Sequence, residues 1–338
     1  MTVTLAPLLM IGSGSIHAVV NAIVKGGKDK MASRAMTDGS AAIILLPALL
    51  LVPLPHGAWT WLMATALVHA LHLYALIRAY QVSDFSSAYP VLRGTAPLVT
   101  AAVTLGLLGD HVSTTSIAGI ALIGISMFVL AIGRHLSRAG FGWAVLTGFT
   151  IAAYTVIDAA GVRAAPTPFS YIAWMFVTMG LVIVGLFAIL TRGTLFASMR
   201  QQWRPGAIAG VLSILTYGLA LYALSIGPTA PLAALRETGM VTALIIAAVF
   251  LEERVTVGRV VAVLGILAGA ALILRGDQNS SPERGGVLIR KSPARIAADR
   301  AVFKAEPDRV SDRRQVHRGV LATTIVDFEL ELEPIAFV

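Results

Sequence analysis

The stretch YPVLRGTAPL, residues 89–98, places Arg93 inside an otherwise apolar or small-residue run. LAALRETGMV, residues 232–241, repeats the pattern with Arg236 at the matching place and Glu237 directly after it. An arginine at the centre of a membrane helix costs about 2.5–3.5 kcal/mol on insertion scales, so it is tolerated where it meets water or a partner. Two chemistries fit. The side chain can snorkel back to the interface, or it can line a polar cavity and hold an anionic group. Recurrence at two related positions favours the second. Pro97 adds to it. Proline has no N–H, so the carbonyl four residues back, that of Arg93, loses its helical partner. Such a carbonyl is affordable beside a cavity, where water or substrate can meet it. Tyr89, which opens the first stretch, joins Arg93 as a candidate substrate contact.

Two carboxylates also fall inside apolar runs, Asp158 and Glu237. An intramembrane carboxylate is a functional candidate by default. Burial favours its neutral form and a nearby arginine its ionised form, so either residue is a candidate proton-coupling group. The structural alternatives are a pairing of Asp158 with Arg163 near a helix end, and an ion pair of Glu237 with Arg93. His17 and Asn21 share one helix face at i, i+4, and His69 lies in a later run. Tyr154 and Tyr217 stand at the repeat positions matching His17 and His69. All are hydrogen-bonding groups suited to lining a substrate cavity, although interhelical bonding alone would also account for them. A metal centre needs three or four suitably spaced ligands. With no cysteine and no clustered carboxylates, none is expected. The Gly26-Gly27-Lys28 sequence lacks the rest of a phosphate loop.

These residues must be positioned by membrane helices. The chain is 57% hydrophobic and only 13% charged, with mean hydropathy +0.80, against roughly 25% charge in soluble domains. A helix crosses a ~30 Å hydrocarbon layer in about 20 residues. Ten spans are expected, near 4–24, 40–55, 58–80, 87–108, 113–133, 142–163, 169–190, 205–226, 229–250 and 257–274. The second is short and interrupted by Pro47. The first basic residue, Lys25, follows the first apolar run, so that run reads as a retained span and not a cleaved signal. Residues 276–338 form a polar tail of mixed charge, expected to be disordered. The net charge of +8 lies in the loops of the apolar portion. That placement suits a lipid surface and insertion rules and gives no sign of a nucleic-acid partner.

The chain repeats internally. LYAL occurs at 73–76 and 221–224, and LRGT (92–95) aligns with LRET (235–238) without a gap through LGDHVS (108–113) and LEERVT (251–256). Two units, 1–139 and 140–275, each hold five spans. Because five is odd, the second enters the membrane inverted, the plan of many secondary transporters. Basic residues crowd the loops after odd spans, whereas the even loops hold only Arg163. The positive-inside rule then places the odd loops in the cytoplasm and both termini outside.

The segment YPVLRGTAPLVTAAVTLGLLGDHVSTTSIAGIALIGISMFVLA resembles the second half of an EamA-type repeat of the drug/metabolite transporter superfamily. HAVVNAIVKGGKD and AAYTVIDAAGVRA are similar to bacterial members. The resemblance covers about residues 5–275 and departs from the pattern at Leu232-Ala233, where the first unit has Tyr-Pro. It implies an all-α, ten-helix transporter of small metabolites or drugs in the plasma (bacterial inner) membrane, with no bound cofactor. It also implies cytoplasmic termini, opposite to the loop count, which leaves orientation open.

The leading reading is a secondary carrier of a small polar, anionic or zwitterionic solute, working by alternating access. The alternative is a membrane-embedded lipid-modifying enzyme, which would need acid, base or metal groups clustered near the interface. A non-transporting scaffold would not need charged groups at repeat-matched positions. Gly265 and Gly269 form a GxxxG that permits close helix packing and could support a homodimer.

Overall fold

The computed structural model describes residues 5–26, 29–108, 110, 112–132, 136–192, 194–250 and 256–279. Among them there are helices and no strand. In chain order these are α1 (Leu5–Gly26), α2 (Lys30–Leu45), a 3-10 turn (Pro47–Leu50), α3 (Trp59–Val82), α4 (Phe85–Gly106), α5 (Thr114–Val129) and α6 (Arg138–Ala164). There follow α7 (Pro168–Leu190), α8 (Leu195–Gln201), α9 (Trp203–Ile226), α10 (Thr229–Arg236), α11 (Gly239–Phe250) and α12 (Val257–Asn279). All lie in one compact unit, Met1–Gly285. The expected disorder of the tail falls, from residue 280 on, outside the described residues.

Six segments are long and apolar enough to cross a bilayer: Trp59–Val82, Arg138–Ala164, Pro168–Leu190, Trp203–Ile226, Thr229–Ile246 and Val257–Gly276. Leu5–Asn21 and Thr114–Val129 are shorter apolar helices. At mid-helix, Leu67 on α3 is 73% exposed and Leu181 on α7 is 70% exposed. Large apolar side chains laid open at that depth suit hydrocarbon and not water. The chain is an integral membrane protein by these features.

Local chemistry sets several helix ends. The Asp29 carboxylate accepts from the amides of Met31 and Ala32 at 3.0 and 3.1 Å, capping α2. α2 therefore begins ten residues before the expected second span, 40–55, and carries Arg34 and Asp38 within it. Pro47 ends α2 and opens the 3-10 turn, as its missing N–H requires. The span expected at 229–250 is not one helix. It breaks at Glu237 and Thr238, between α10 and α11.

The helices pack across the two halves of the sequence. α1 lies on α9, α10 and α11; α3 and α4 lie on α6; α2 lies on α7 and α9; and α5 runs against α12. The last pair meets backbone to backbone. A Cβ on Gly119 would stand 2.5 Å from the Gly269 carbonyl oxygen, and one on Gly269 would stand 2.7 Å from that of Gly119. The GxxxG of α12 thus faces α5 of the same chain.

Candidate functional site

α4 runs unbroken through Pro90 and Pro97, so the Arg93 carbonyl has no amide four residues ahead. The Arg93 side chain points inward and the residue is 8% exposed. Its Nε stands 2.8 Å from Oε2 of Glu237, and its guanidinium lies 5.9 Å from the centre of the Tyr89 ring. The two groups form a buried contact ion pair. Glu237 is buried as well.

Glu237 comes inward because the helix breaks there. The amides of Glu237 and Thr238 bond three residues back, to Ala234 and Leu235, at 3.0 and 3.1 Å. That is a tightened 3-10 turn, which rotates the chain between α10 and α11. The break sits against α1, backbone on backbone. A Cβ on Gly239 would overlap the Gly14 carbonyl, and a Cβ on Gly14 would overlap that of Arg236. Ser15 and Thr242 hydroxyls meet at 3.1 Å alongside. Small residues at these places let α1 approach a segment whose backbone is not fully paired.

Arg236, last residue of α10, lies 5.1 Å from the centre of the Tyr217 ring on α9. Its buried Nε has no hydrogen-bond partner. The Tyr217 hydroxyl donates to Oδ2 of Asp158, and that of Tyr171 on α7 donates to Oδ1 at 2.7 Å. Asp158 is fully buried and served by two donors, as a buried carboxylate requires. The alternative pairing with Arg163 does not occur. Arg163 instead donates to Leu224 O at 2.9 Å, Gly227 O at 2.7 Å and Thr229 Oγ1 at 3.0 Å, closing the C-terminus of α9.

Arg93, Arg236, Glu237 and Tyr217 line one cavity, with Thr100 and Thr155 beside them. It is small, ≈ 20 Å³ for the centres of water-sized molecules, which is room for about one water. Two cations and one carboxylate face it, so the cavity carries a net positive charge while Asp158 remains one hydroxyl behind the wall.

The other candidates are distributed around this centre. His69 stacks on Tyr154 with centroids 4.2 Å apart, and His72 meets the same ring edge-on at 5.5 Å. His69 Nδ1 lies 2.9 Å from Thr65 O, and His72 Nδ1 lies 3.1 Å from Thr150 Oγ1. Of the rings expected to line the cavity, then, Tyr217 does so, while His69 and Tyr154 pair with one another. His17 and Asn21 are half-buried on α1 and make no hydrogen bond to another described residue. His17 is within electrostatic reach of Arg236, Arg93 and Arg34.

Sequence reasoning missed two features. Tyr171 gave no signal, because a tyrosine near the start of an apolar run reads as an interfacial ring. Arg34 and Asp38 form an ion pair of 2.6 Å on α2, with the Asp38 side chain 8% exposed. Their i, i+4 spacing after an Asp cap was a usable signal. Among the described residues, no group of three or more His, Asp or Glu could hold a metal ion.

Three comparisons with known proteins bear on this arrangement. The sequence model of the EamA-like transporter family matches residues 138–275. That match falls on the half opposite the 89–131 motif from which the resemblance is chiefly drawn. No curated protein matches the chain. A solved structure described only as "Crystal structure of protein" superposes with a TM-score of 0.63 at 16% identity, covering 82% of this chain and 99% of its own. At that identity the likeness concerns the fold alone. The helical fold and the apolar exposed surface are consistent with that family match: residues 138–275 are similar to the EamA-like transporter family, within a chain that has the features of an integral membrane protein.

Proposed function

We propose that the protein is a secondary transporter of the plasma (bacterial inner) membrane, moving a small anionic or zwitterionic solute by alternating access. The carrying observation is that Arg93 and Arg236, from matching places in the two sequence repeats, line one buried cavity. Inverted-repeat carriers hold substrate at such a seam. Residues 1–139 and 140–275 are the two units, with α10 and α11 together making the ninth of ten crossings. The packing supports this reading. α1 on α9 has its counterpart in α6 on α3, and α4 on α6 has its counterpart in α10 and α11 on α1.

In this scheme Arg93, Arg236 and Tyr217 contact the solute directly, with Tyr89 steadying Arg93. His17, Asn21, His69 and Tyr154 become accessible as the cavity widens toward α1 and α3. Asp158 and Glu237 are the groups able to couple transport to protons. The cavity as described is too small for a metabolite, so in this scheme it must widen for the solute to enter.

The test is flux into proteoliposomes with a panel of radiolabelled amino acids and small monocarboxylates. Transport of one member without chemical change is expected. Arg236→Gln should raise KM for it roughly 10–100-fold, since a hydrogen bond to a charged group contributes about 1.5–3 kcal/mol. Covalent conversion of a lipid or solute without flux would favour the membrane-enzyme reading instead.

A further inference from the structure

Arg93 is 8% exposed and Glu237 is 3% exposed, and both face the cavity. A bare guanidinium at this depth is heavily penalised unless an anion stands beside it. Asp158 does not supply that anion: it accepts from Tyr171 and Tyr217 and is not part of the cavity lining, whereas Glu237 stands against Arg93. Arg236 does not compete for Glu237 by contact; it lies over the Tyr217 ring. The Arg93–Glu237 pair is a contact ion pair at 2.8 Å that joins α4 to the break between α10 and α11. Glu237 also sits on a break between two helices, held by single-turn bonds. It is therefore an anion that can leave.

We propose that Glu237 is a tethered internal anion that occupies Arg93 whenever the cavity is empty, and that a monoanionic group of the solute takes its place during transport. The inference rests on the carrier reading above and deepens it. The cavity closes only when Arg93 has an anion, Glu237 in the empty chain and the solute in the loaded one. A single negative charge also suits the balance. Two arginines, one glutamate and one solute carboxylate leave the closed cavity neutral. A dianion would overshoot, and a neutral solute would leave Arg93 in the hands of Glu237. Empty carriers can close and return, so net transport proceeds as well as exchange.

The chain has no native cysteine, which allows a test without any transported solute. Ala233→Cys places a thiol on the cavity wall. Its labelling by methyl methanethiosulfonate in liposomes, corrected for thiolate fraction from the pH dependence, reads how often the cavity opens. Adding Glu237→Gln should speed labelling at least ~10-fold, because the closed state then holds an unpaired Arg93. Arg93→Gln/Glu237→Gln should return the rate to within ~2-fold of the starting protein, and so should the charge swap Arg93→Glu/Glu237→Arg. Sodium formate, compared with sodium chloride at equal ionic strength, should slow labelling of the Glu237→Gln protein and leave the double glutamine variant unaffected. An unchanged rate in Glu237→Gln, or formate acting equally with and without Arg93, overturns the inference. A charge-swapped protein that labels ~10-fold or more faster than the starting protein overturns it as well, and this arm stands even if the single variant does not fold. Failure of the carrier reading would look different, as absence of flux in the proteoliposome panel whatever the labelling shows.

Discussion

Replacing Gly119 by alanine should loosen the close pairing of α5 with α12. The added Cβ would stand 2.5 Å from the Gly269 carbonyl oxygen and 2.8 Å from Ile273 Cγ1, about 0.9 Å inside van der Waals contact with the oxygen. The obstructing atom is helix backbone, so it cannot rotate away. α5 and α12 must separate, or one must shift along the other. Overpacking of this kind costs about 1–3 kcal/mol, and the better helix propensity of alanine returns at most about 1 kcal/mol. A net loss near 1–2 kcal/mol corresponds to roughly 2–8 °C in Tm by the scaling of soluble domains. Gly269→Ala meets Gly119 O and Ile123 Cγ1, each at 2.7 Å, and should behave alike. Together the two should lose less than their sum, because both substitutions force the same separation. Gly258→Ala on α12 meets nothing within 4 Å and is the control. Thermal unfolding in detergent reads stability, and light scattering after size exclusion reads the number of protomers. The reasoning fails if the Gly119 variant melts with the control. It fails equally if Gly269→Ala changes the number of protomers while the melting temperature holds, since the motif would then serve contacts between copies.

Three further outcomes follow from the same geometry. Tyr171→Phe removes one of the two donors to Asp158 and should lower stability by about 1–3 kcal/mol. KM should be unchanged because Tyr171 is not on the cavity wall; a raised KM at unchanged Tm would place Tyr171 in solute binding. Tyr217→Phe removes the other donor and a cavity-facing hydroxyl together, so both Tm and KM should move, as melting and flux on the same preparation will show. Arg163→Gln strips the donors from Leu224 O and Gly227 O, and hydrogen exchange should quicken at residues 224–229 while residues 114–129 stay protected; uniform exchange across both would remove Arg163 from the role of closing α9.

Much of the site was legible in sequence because membrane burial makes polar residues conspicuous. Arg93, Arg236, Glu237 and Asp158 stand out against apolar neighbours, since each carries a desolvation penalty that needs an explanation. The ion pair of Arg93 with Glu237, weighed as a structural alternative, is present at 2.8 Å. Its presence does not remove a functional role, because the pair lines the cavity. The repeat positions of His69 and Tyr154 were readable, but not their mutual stacking. That depends on how α3 and α6 cross, which alignment within one chain does not encode. Asp38 falls outside the expected second span, 40–55, because the charged start of α2 lowers its hydropathy. The cap at Asp29 and the i, i+4 pair with Arg34 carry the helix through that polar start.

By itself the sequence determined that the chain lives in a membrane as helices, and which charged residues have to be sheltered there, because hydrocarbon penalises each unpaired backbone group and each bare charge locally. Tertiary structure decided who shelters whom. Glu237 reaches Arg93 only because α10 and α11 part between Arg236 and Gly239, and that break stands against the bare backbone of α1 at Gly14. Asp158 turned to two tyrosines and not to Arg163 for the same kind of reason. Partners from helices far apart in the chain meet through packing, and packing is a property of whole surfaces that no local run of residues contains.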